Sequence, residues 1–268
     1  MSPESENGYY TLITGASHGI GRSMAFEIAQ RGKNLALVAL PGKELDDVTG
    51  ELISKYPVMV KSFGIDLTTE NAATTVKNWA DGNGIRVEWL INNAGFGAGG
   101  LFWNLDATRY VPMIRLNTVA AVMLTHAFLD QVRAAPNGKL LYMSSMEATL
   151  PLPYKAVYTG TKNFIWAFAL AMREELRPEG KTVTVVCPGP VSSNASSQHR
   201  IQSHGNRAKW ITLSPDKCAK IAIRGLERSK LVVTPGFIPW AIMKIMKLMP
   251  TAVKMRILER IFRVYRYH

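Results

Sequence analysis

Residues 9–32, YYTLITGASHGIGRSMAFEIAQRG, constrain the fold more than any other stretch. A short β-prone run, Tyr9 to Thr14, enters a glycine-rich turn, and a helical pattern follows until Gly32 stops it. The glycines are spaced G-x-x-x-G-x-G. Gly15 permits a tight turn, Gly19 lets the backbone approach a ligand, and Gly21 allows close helix–strand packing. The N-terminus of the following helix offers unpaired N–H groups and a positive dipole to phosphate. A glycine turn can exist without a ligand, but strand, turn and helix in this order favour a bound dinucleotide.

The pattern continues. Asn34 to Leu40 is a second strand, Val58 to Ile65 a third and Val87 to Asn92 a fourth. Lys139 to Met143 is a fifth, Thr182 to Cys187 a sixth and Leu231 to Val233 a seventh. Helical stretches alternate with them, which predicts an α/β fold: one Rossmann-type, doubly wound parallel sheet of about seven strands, helices on both faces. The domain is expected over residues 1–235, with a long polar connection at about 191–213 serving as a substrate loop. Residues 236–268 form a C-terminal extension.

In such a sheet a ligand lies at the carboxyl ends of the strands. Strand two ends in Ala39-Leu40-Pro41, without the carboxylate that would bond the ribose hydroxyls of NAD, and the next charge is Lys43. Lys43 and His18 can attract a 2′-phosphate, which favours NADP(H) over NAD(H); both can equally be solvated surface residues. Asp66-Leu67 ends strand three, and Asp66 either accepts from an adenine amino group or caps a helix beginning near Thr69. Asn92-Asn93-Ala94-Gly95 ends strand four and suits backbone contact with a cofactor. The aromatic loop after it, with Phe96, Phe102 and Trp103, either lines a pocket or packs. Asn117 opens NTVAAVMLTHAFLDQV, apolar on every face, so this helix is expected to be buried and Asn117 to need polar partners.

Ser145 stands at the end of strand five, thirteen residues before Tyr158, and Lys162 is four residues beyond Tyr158. On a helix, residues four apart share a face, so phenol and ammonium point into one space. A cation beside a phenol favours the phenolate and suits Tyr158 to acid–base work, while Ser145 can hold the reacting oxygen. Alone, Y-x-x-x-K is common by chance.

These residues together resemble the short-chain dehydrogenase/reductase family over roughly residues 9 to 235. The matching motifs are TGASHGIG at 14–21, NNAG at 92–95, Asn117, Ser145, Tyr158-x-x-x-Lys162 and Pro188-Gly189, in family order. The resemblance implies NAD(P)-dependent interconversion of a carbonyl and an alcohol, with Asn117, Ser145, Tyr158 and Lys162 as catalytic tetrad. It implies a cofactor set of Gly15, Ser17, His18, Gly19, Ile20, Gly21, Lys43, Asp66, Leu67, Asn93, Ala94, Gly95, Tyr158, Lys162, Pro188, Gly189 and Val191. Two departures stand out. The strand-two Arg common in NADP-preferring members is missing at Leu40 or Pro41, and the tyrosine segment reads YTGTK rather than the frequent YSASK. Apolar residues near the site, with Phe96, Phe102, Ser145, Leu152 and Tyr158 as the substrate set, point to a hydrophobic ketone of 3-oxoacyl or steroid-like type. Family members often pair through the helices carrying Asn117 and Tyr158, so a homo-oligomer, dimer or tetramer, is expected.

Composition bounds the rest. Of 268 residues 47% are apolar, enough for one large core. Two cysteines and no targeting peptide suggest a cytoplasmic protein, and no metal-ligand spacing occurs. No stretch of eighteen apolar residues lacks charges, so no spanning helix is expected. The net charge is +12, yet no nucleic-acid motif accompanies it. Half of it lies in the tail, where Lys244, Lys247, Lys254, Arg256, Arg260, Arg263 and Arg266 face only Glu259. Pro250 should break the tail into two helices. An amphipathic basic tail fits peripheral association with an anionic membrane surface; alternatively it packs on its own domain or on a partner subunit. Two non-enzymatic readings remain beside catalysis: a dinucleotide sensor on the same fold, and a membrane-surface interaction protein.

Overall fold

A computed structural model describes residues 8–192 and 212–267. Seven parallel strands lie in the order β3-β2-β1-β4-β5-β6-β7. They are β1 (Tyr9–Thr14), β2 (Asn34–Ala39), β3 (Val60–Gly64), β4 (Arg86–Asn92), β5 (Lys139–Met143), β6 (Thr182–Val186) and β7 (Val232–Val233). The order reverses beside β1, so a crevice opens between the carboxyl ends of β1 and β4.

Alternate residues on each strand face opposite layers. Ile13, Leu35, Leu37, Ile91, Leu141 and Val186 pack under α1 (Gly19–Ala29), α2 (Lys43–Lys55) and α7 (Pro215–Glu227). Their neighbours Leu12, Val38, Leu90, Leu140 and Val185 pack under α3 (Ala72–Gly82), α5 (Ala120–Ala134) and α6 (Ala156–Leu176). Helix α4 (Tyr110–Ile114) leads through a π-helical turn, Arg115–Val119, into α5. The strongly apolar sequence of β2, buried at all six positions, is what a strand covered on both faces requires.

Two expectations need correction. Helix α3 starts at Ala72, not near Thr69, because Asp66 accepts from the Thr68 amide (2.8 Å) and the Thr69 hydroxyl bonds the Asp66 carbonyl, closing a separate turn first. The helix after Asn117 is not buried all round: Val119 and Met123 are about half exposed, while Leu124, Phe128 and Val132 fill the core. The helical run Ala107–Ala134 is also long and apolar enough to cross a membrane by length and composition. Its inner face nevertheless covers β4 and packs beside α3, the position of a core helix.

The tail forms α8 (Phe237–Leu248) and α9 (Thr251–Phe262), broken at Pro250, then a 3-10 turn, Arg263–Tyr267. Both helices return to the connection between β5 and α6. There Met246 and Leu258 join Leu150 and Leu152 in a small separate core, with Ile242, Met249 and Phe262 against it. Packing on its own domain is therefore part of what the tail does. Pro239 of α8 sits against Gly189, where a Cβ would come within 2.6 Å of its ring. Residues 193–211 of the expected substrate loop lie outside the described residues; its ends are joined by a parallel bridge from Val191 to Leu213.

Candidate active site

The crevice floor is a hydrogen-bonded lock between the first turn and the end of β4. Thr14 Oγ1 accepts from the amides of Asn93 and Ala94, both at 3.0 Å, and donates to the Ile91 carbonyl. Asn93 Nδ2 donates to the Thr14 and Gly15 carbonyls. The lock is tight. Gly15 has φ +65°, and a Cβ on Gly21 would come within 2.0 Å of the Gly15 carbonyl oxygen. Helix α1 begins directly beyond, and His18 at its N-cap makes no capping bond from its side chain. Its first amides thus remain available to an anionic group, which is the fit a pyrophosphate needs.

The flanks are less open than the sequence implied. Lys43 is held by Asp47 one helical turn on, at 2.7 Å. Exposed His18 bonds Ser17 Oγ at 3.0 Å and lies 3.9 Å from Glu44. Asp66 is exposed and engaged in its own turn, and Leu67 is buried. Ile20 packs against the core beside α1, Pro188 is buried and its carbonyl accepts from the Met146 amide, and Val191 is buried.

On the other side of the crevice stand the residues of β5, α6 and the π turn. Asn117 is 2% exposed and fully partnered: Oδ1 accepts from the Phe96 amide at 3.0 Å, and Nδ2 donates to the Phe96 carbonyl and Thr161 Oγ1. The local widening of the helix at residues 115–119 brings this side chain to the β4 loop. Lys162 is buried and donates to the Met143 carbonyl at 3.0 Å, while Ser144 Oγ donates to the Lys162 carbonyl. Burial pulls the Lys162 ammonium down to about 8. Gly95 is the point where Asn117 and Lys162 converge, since a Cβ there would meet both within 3.1 Å.

Tyr158 is one turn before Lys162 on α6, with the Lys162 ammonium 5.9 Å from its ring centre. Gly97 lies against the same ring; a Cβ on it would approach Tyr158 Cδ2 to 2.8 Å. Ser145 is buried at the start of the 3-10 turn Met146–Thr149, where its Oγ accepts from the Glu147 amide at 3.1 Å. The structure gathers Asn117, Ser145, Tyr158 and Lys162 around the carboxyl ends of β4 and β5. A small cavity of about 40 Å³ beside Tyr158 is lined by Ala98, Phe102, Leu105, Tyr110 and Tyr154. Phe102 stacks on Tyr110, and Phe96 and Trp103 are exposed. Leu152 does not face this space: it is 2% exposed because the tail covers it.

Several residues near the site were not singled out by the sequence reading. Tyr154 has φ +67°, a strained value for a bulky residue, secured by the Gly100 amide on its carbonyl and by its hydroxyl donating to Glu259 of α9. Glu259 is held down to about 2 by its bonds to Arg263 and Tyr154. Lys155 and Glu147 form a 2.8 Å ion pair covered by the rings of Phe262 and Tyr265. Lys155 precedes Tyr158 by three residues, a same-face spacing readable in the sequence; the return of the tail was not readable.

A doubly wound sheet with an open glycine turn at its switch point defines a dinucleotide-binding class. The family model for short chain dehydrogenase matches residues 10–204. Among relatives, 11-beta-hydroxysteroid dehydrogenase-like 3 of Arabidopsis thaliana is 31% identical over 236 residues, covering 85% of this chain and 74% of that protein. The very-long-chain 3-oxoacyl-CoA reductase of Bos taurus is 27% identical over 221 residues, 81% of this chain and 68% of that one. The chain spans 65% of the Scheffersomyces stipitis protein of the same name. A short-chain dehydrogenase from Sphingobium yanoikuyae, solved in complex with NADPH, superposes with a TM-score of 0.77 at 27% identity, over 91% of this chain and 97% of that one. The chain belongs to the short-chain dehydrogenase/reductase family of oxidoreductases.

Proposed function

We propose that the protein reduces a hydrophobic ketone, of 3-oxoacyl or steroid-like type, to a secondary alcohol with NADPH. The observation that carries this is the pairing of Tyr158 and Lys162 on one face of α6, at the mouth of a crevice whose helix α1 is left uncapped. The apolar substrate class is supported by the aromatic rim and by the activities named for the Bos taurus and Arabidopsis thaliana relatives.

When bound, the nicotinamide supplies the hydride. Tyr158 donates its phenolic proton to the carbonyl oxygen. Ser145 Oγ, already accepting from the Glu147 amide, has its own proton free to polarise that oxygen. Lys162 keeps positive charge near the phenol and holds the cofactor ribose, and Asn117 supports a water-mediated proton path. The glycine turn and the Asn93–Gly95 segment hold the dinucleotide. Tyr158→Phe keeps the ring and removes the acid, so turnover should fall by about a hundredfold or more while NADPH binding persists. Near-normal turnover in the folded variant would sink this function.

The preference for NADPH rests on β2, which ends at Ala39 without a carboxylate, and on His18 and Lys43 flanking the turn. Because Glu44 and Asp47 already face those two side chains, the preference should be small, about fivefold in Kd, the scale of an exposed ion pair. Calorimetric titration with both cofactors checks it, and His18→Ala with Lys43→Ala should narrow the gap. Tighter NADH binding by the parent refutes it.

Two features favour further reach. The outer side of the tail carries exposed Phe237, Trp240, Ile245, Leu248 and Ile261 among basic residues, which supports docking on an anionic membrane surface as well as packing inward. Exposed apolar residues on the helices bearing Asn117 and Tyr158 support a homo-oligomer.

A further inference from the structure

Lys155 is a buried charge that the reaction as written does not use. It occupies the N-cap of α6 and makes no capping bond. A cation at a helix N-terminus opposes the helix dipole, so nothing in the helix itself favours lysine there. Its side chain is nonetheless only 12% exposed and that of its partner Glu147 18%. The ammonium lies 4.8 Å from the centre of the Tyr265 ring, 5.5 Å from that of Phe262 and 6.0 Å from that of Tyr158. Lys162 lies 5.9 Å from the same Tyr158 ring centre. Two lysines, three residues before and four residues after the tyrosine, are therefore equally near it.

We propose that Lys155 is a second cation for Tyr158, a positioning residue whose charge, tempered by Glu147 and sealed from water by Phe262 and Tyr265 of the tail, stabilises the tyrosine's anionic form alongside Lys162. The inference rests on Tyr158 being the acid–base residue.

The surroundings support it. Burial lowers the proton affinity of Lys155, but Glu147 and, once ionised, Tyr265 and Tyr158 outweigh it and raise that affinity above the ordinary lysine value. Lys162, by contrast, is pulled down to about 8 by burial. As pH rises past that point, Lys155 is the cation that keeps its charge beside the phenol. The charged and titratable groups facing Lys155 are Glu147 from the turn after β5, Tyr158 from α6 and Tyr265 from the tail. Next to it, Tyr154 is bound to Glu259, which pairs with Arg263. Glu147 Oε2 is buried and has no hydrogen-bond partner among the described residues, while Oε1 accepts from Lys155 at 2.8 Å.

The test is a pair of variants with opposite expected signs. The ionisation of Tyr158 is followed as the tyrosinate absorbance wave that Tyr158→Phe removes. It is also followed as the pH limb of 3-hydroxyacyl thioester oxidation with NADP. Lys155→Met should move the midpoint up by about one pH unit, and Glu147→Gln should move it down. Lys155→Arg, which keeps the charge, should restore the parent value. Should Lys155→Met fail to fold because it strands a buried carboxylate, Lys155→Met with Glu147→Gln buries no lone charge. Its midpoint should still lie above the parent's. Unmoved midpoints, or shifts of one sign in both single variants, overturn the role of Lys155. Full turnover in Tyr158→Phe instead overturns the proposed function, so the two failures are distinguishable.

Discussion

At the scale of single residues the site is set by where side chains are missing. Gly97 leaves room for the Tyr158 ring, and a Cβ there would sit 2.8 and 2.9 Å from two ring carbons. Ala at 97 must therefore displace the ring, and a 1 Å displacement of a catalytic group costs about a hundredfold in favourable geometry. Gly97→Ala should lower kcat by tenfold or more, with NADPH affinity and melting temperature near the parent values. Gly160, two residues beyond Tyr158 on exposed helix, is the contrast: a Cβ there meets nothing within 4 Å. Gly160→Ala should stabilise by about 0.5–1 kcal/mol in denaturant unfolding, because it only removes freedom from the unfolded chain and helix cost from the folded one. The reacting residues were legible in the sequence because their spacing reflects helix geometry. Gly97 was not, since its neighbour is 61 positions away in the chain and no local pattern encodes that approach.

At the scale of elements the tail is the part whose covering could not be read. A basic amphipathic helix specifies that one face leaves water, but not what covers it. The structure shows one face of the tail buried on its own domain and another left exposed. Met246, Leu258 and Tyr265 are buried against the connection from Ser145 to Tyr158, while Phe237, Leu248 and Ile245 are 77%, 87% and 62% exposed. The exposed set is too large and apolar to be ordinary scatter, and the basic residues beside it suit an anionic surface, at about 1 kcal/mol for each cation near it. Sedimentation with phosphatidylserine-containing vesicles at low salt should carry the protein down and release it as salt rises. Phe237→Glu with Leu248→Glu should abolish sedimentation while leaving turnover of a water-soluble ketone unchanged, because neither side chain belongs to the buried contact with the site. A parent protein that stays in the supernatant would assign the tail to its inward packing alone.

At the scale of the whole molecule, the alternation of strands with helices was enough to read the parallel sheet, and the continuous apolar run of β2 marked a strand covered on both faces. Sequence could not apportion the surplus apolar surface. The helix bearing Asn117 reads as apolar all round, more than one buried face requires, so both a core contact and a second copy were expected of it. The structure spends only its inner face on the core. Val111, Ile114, Val119 and Met123 stand 42% to 55% exposed along one helical run, and Phe164 on α6 is 45% exposed and stacked on Phe168. Two helices that flank the same site both leave large side chains in water, and this is the surface on which the proposed second copy would dock. A helix pair meeting its symmetry mate would bury this stripe and hold the π turn of Asn117 and the first turns of α6 at fixed spacing. Light scattering at micromolar concentration should therefore give at least the mass of a dimer. Met123→Glu with Phe164→Glu places carboxylates in the middle of that surface, where each would lose water without a partner, and should shift the protein to monomer. Both positions are exposed in the single chain, so the monomer should keep its far-ultraviolet circular dichroism. A parent protein that is strictly monomeric at that concentration would remove the oligomer and leave the stripe without a partner copy.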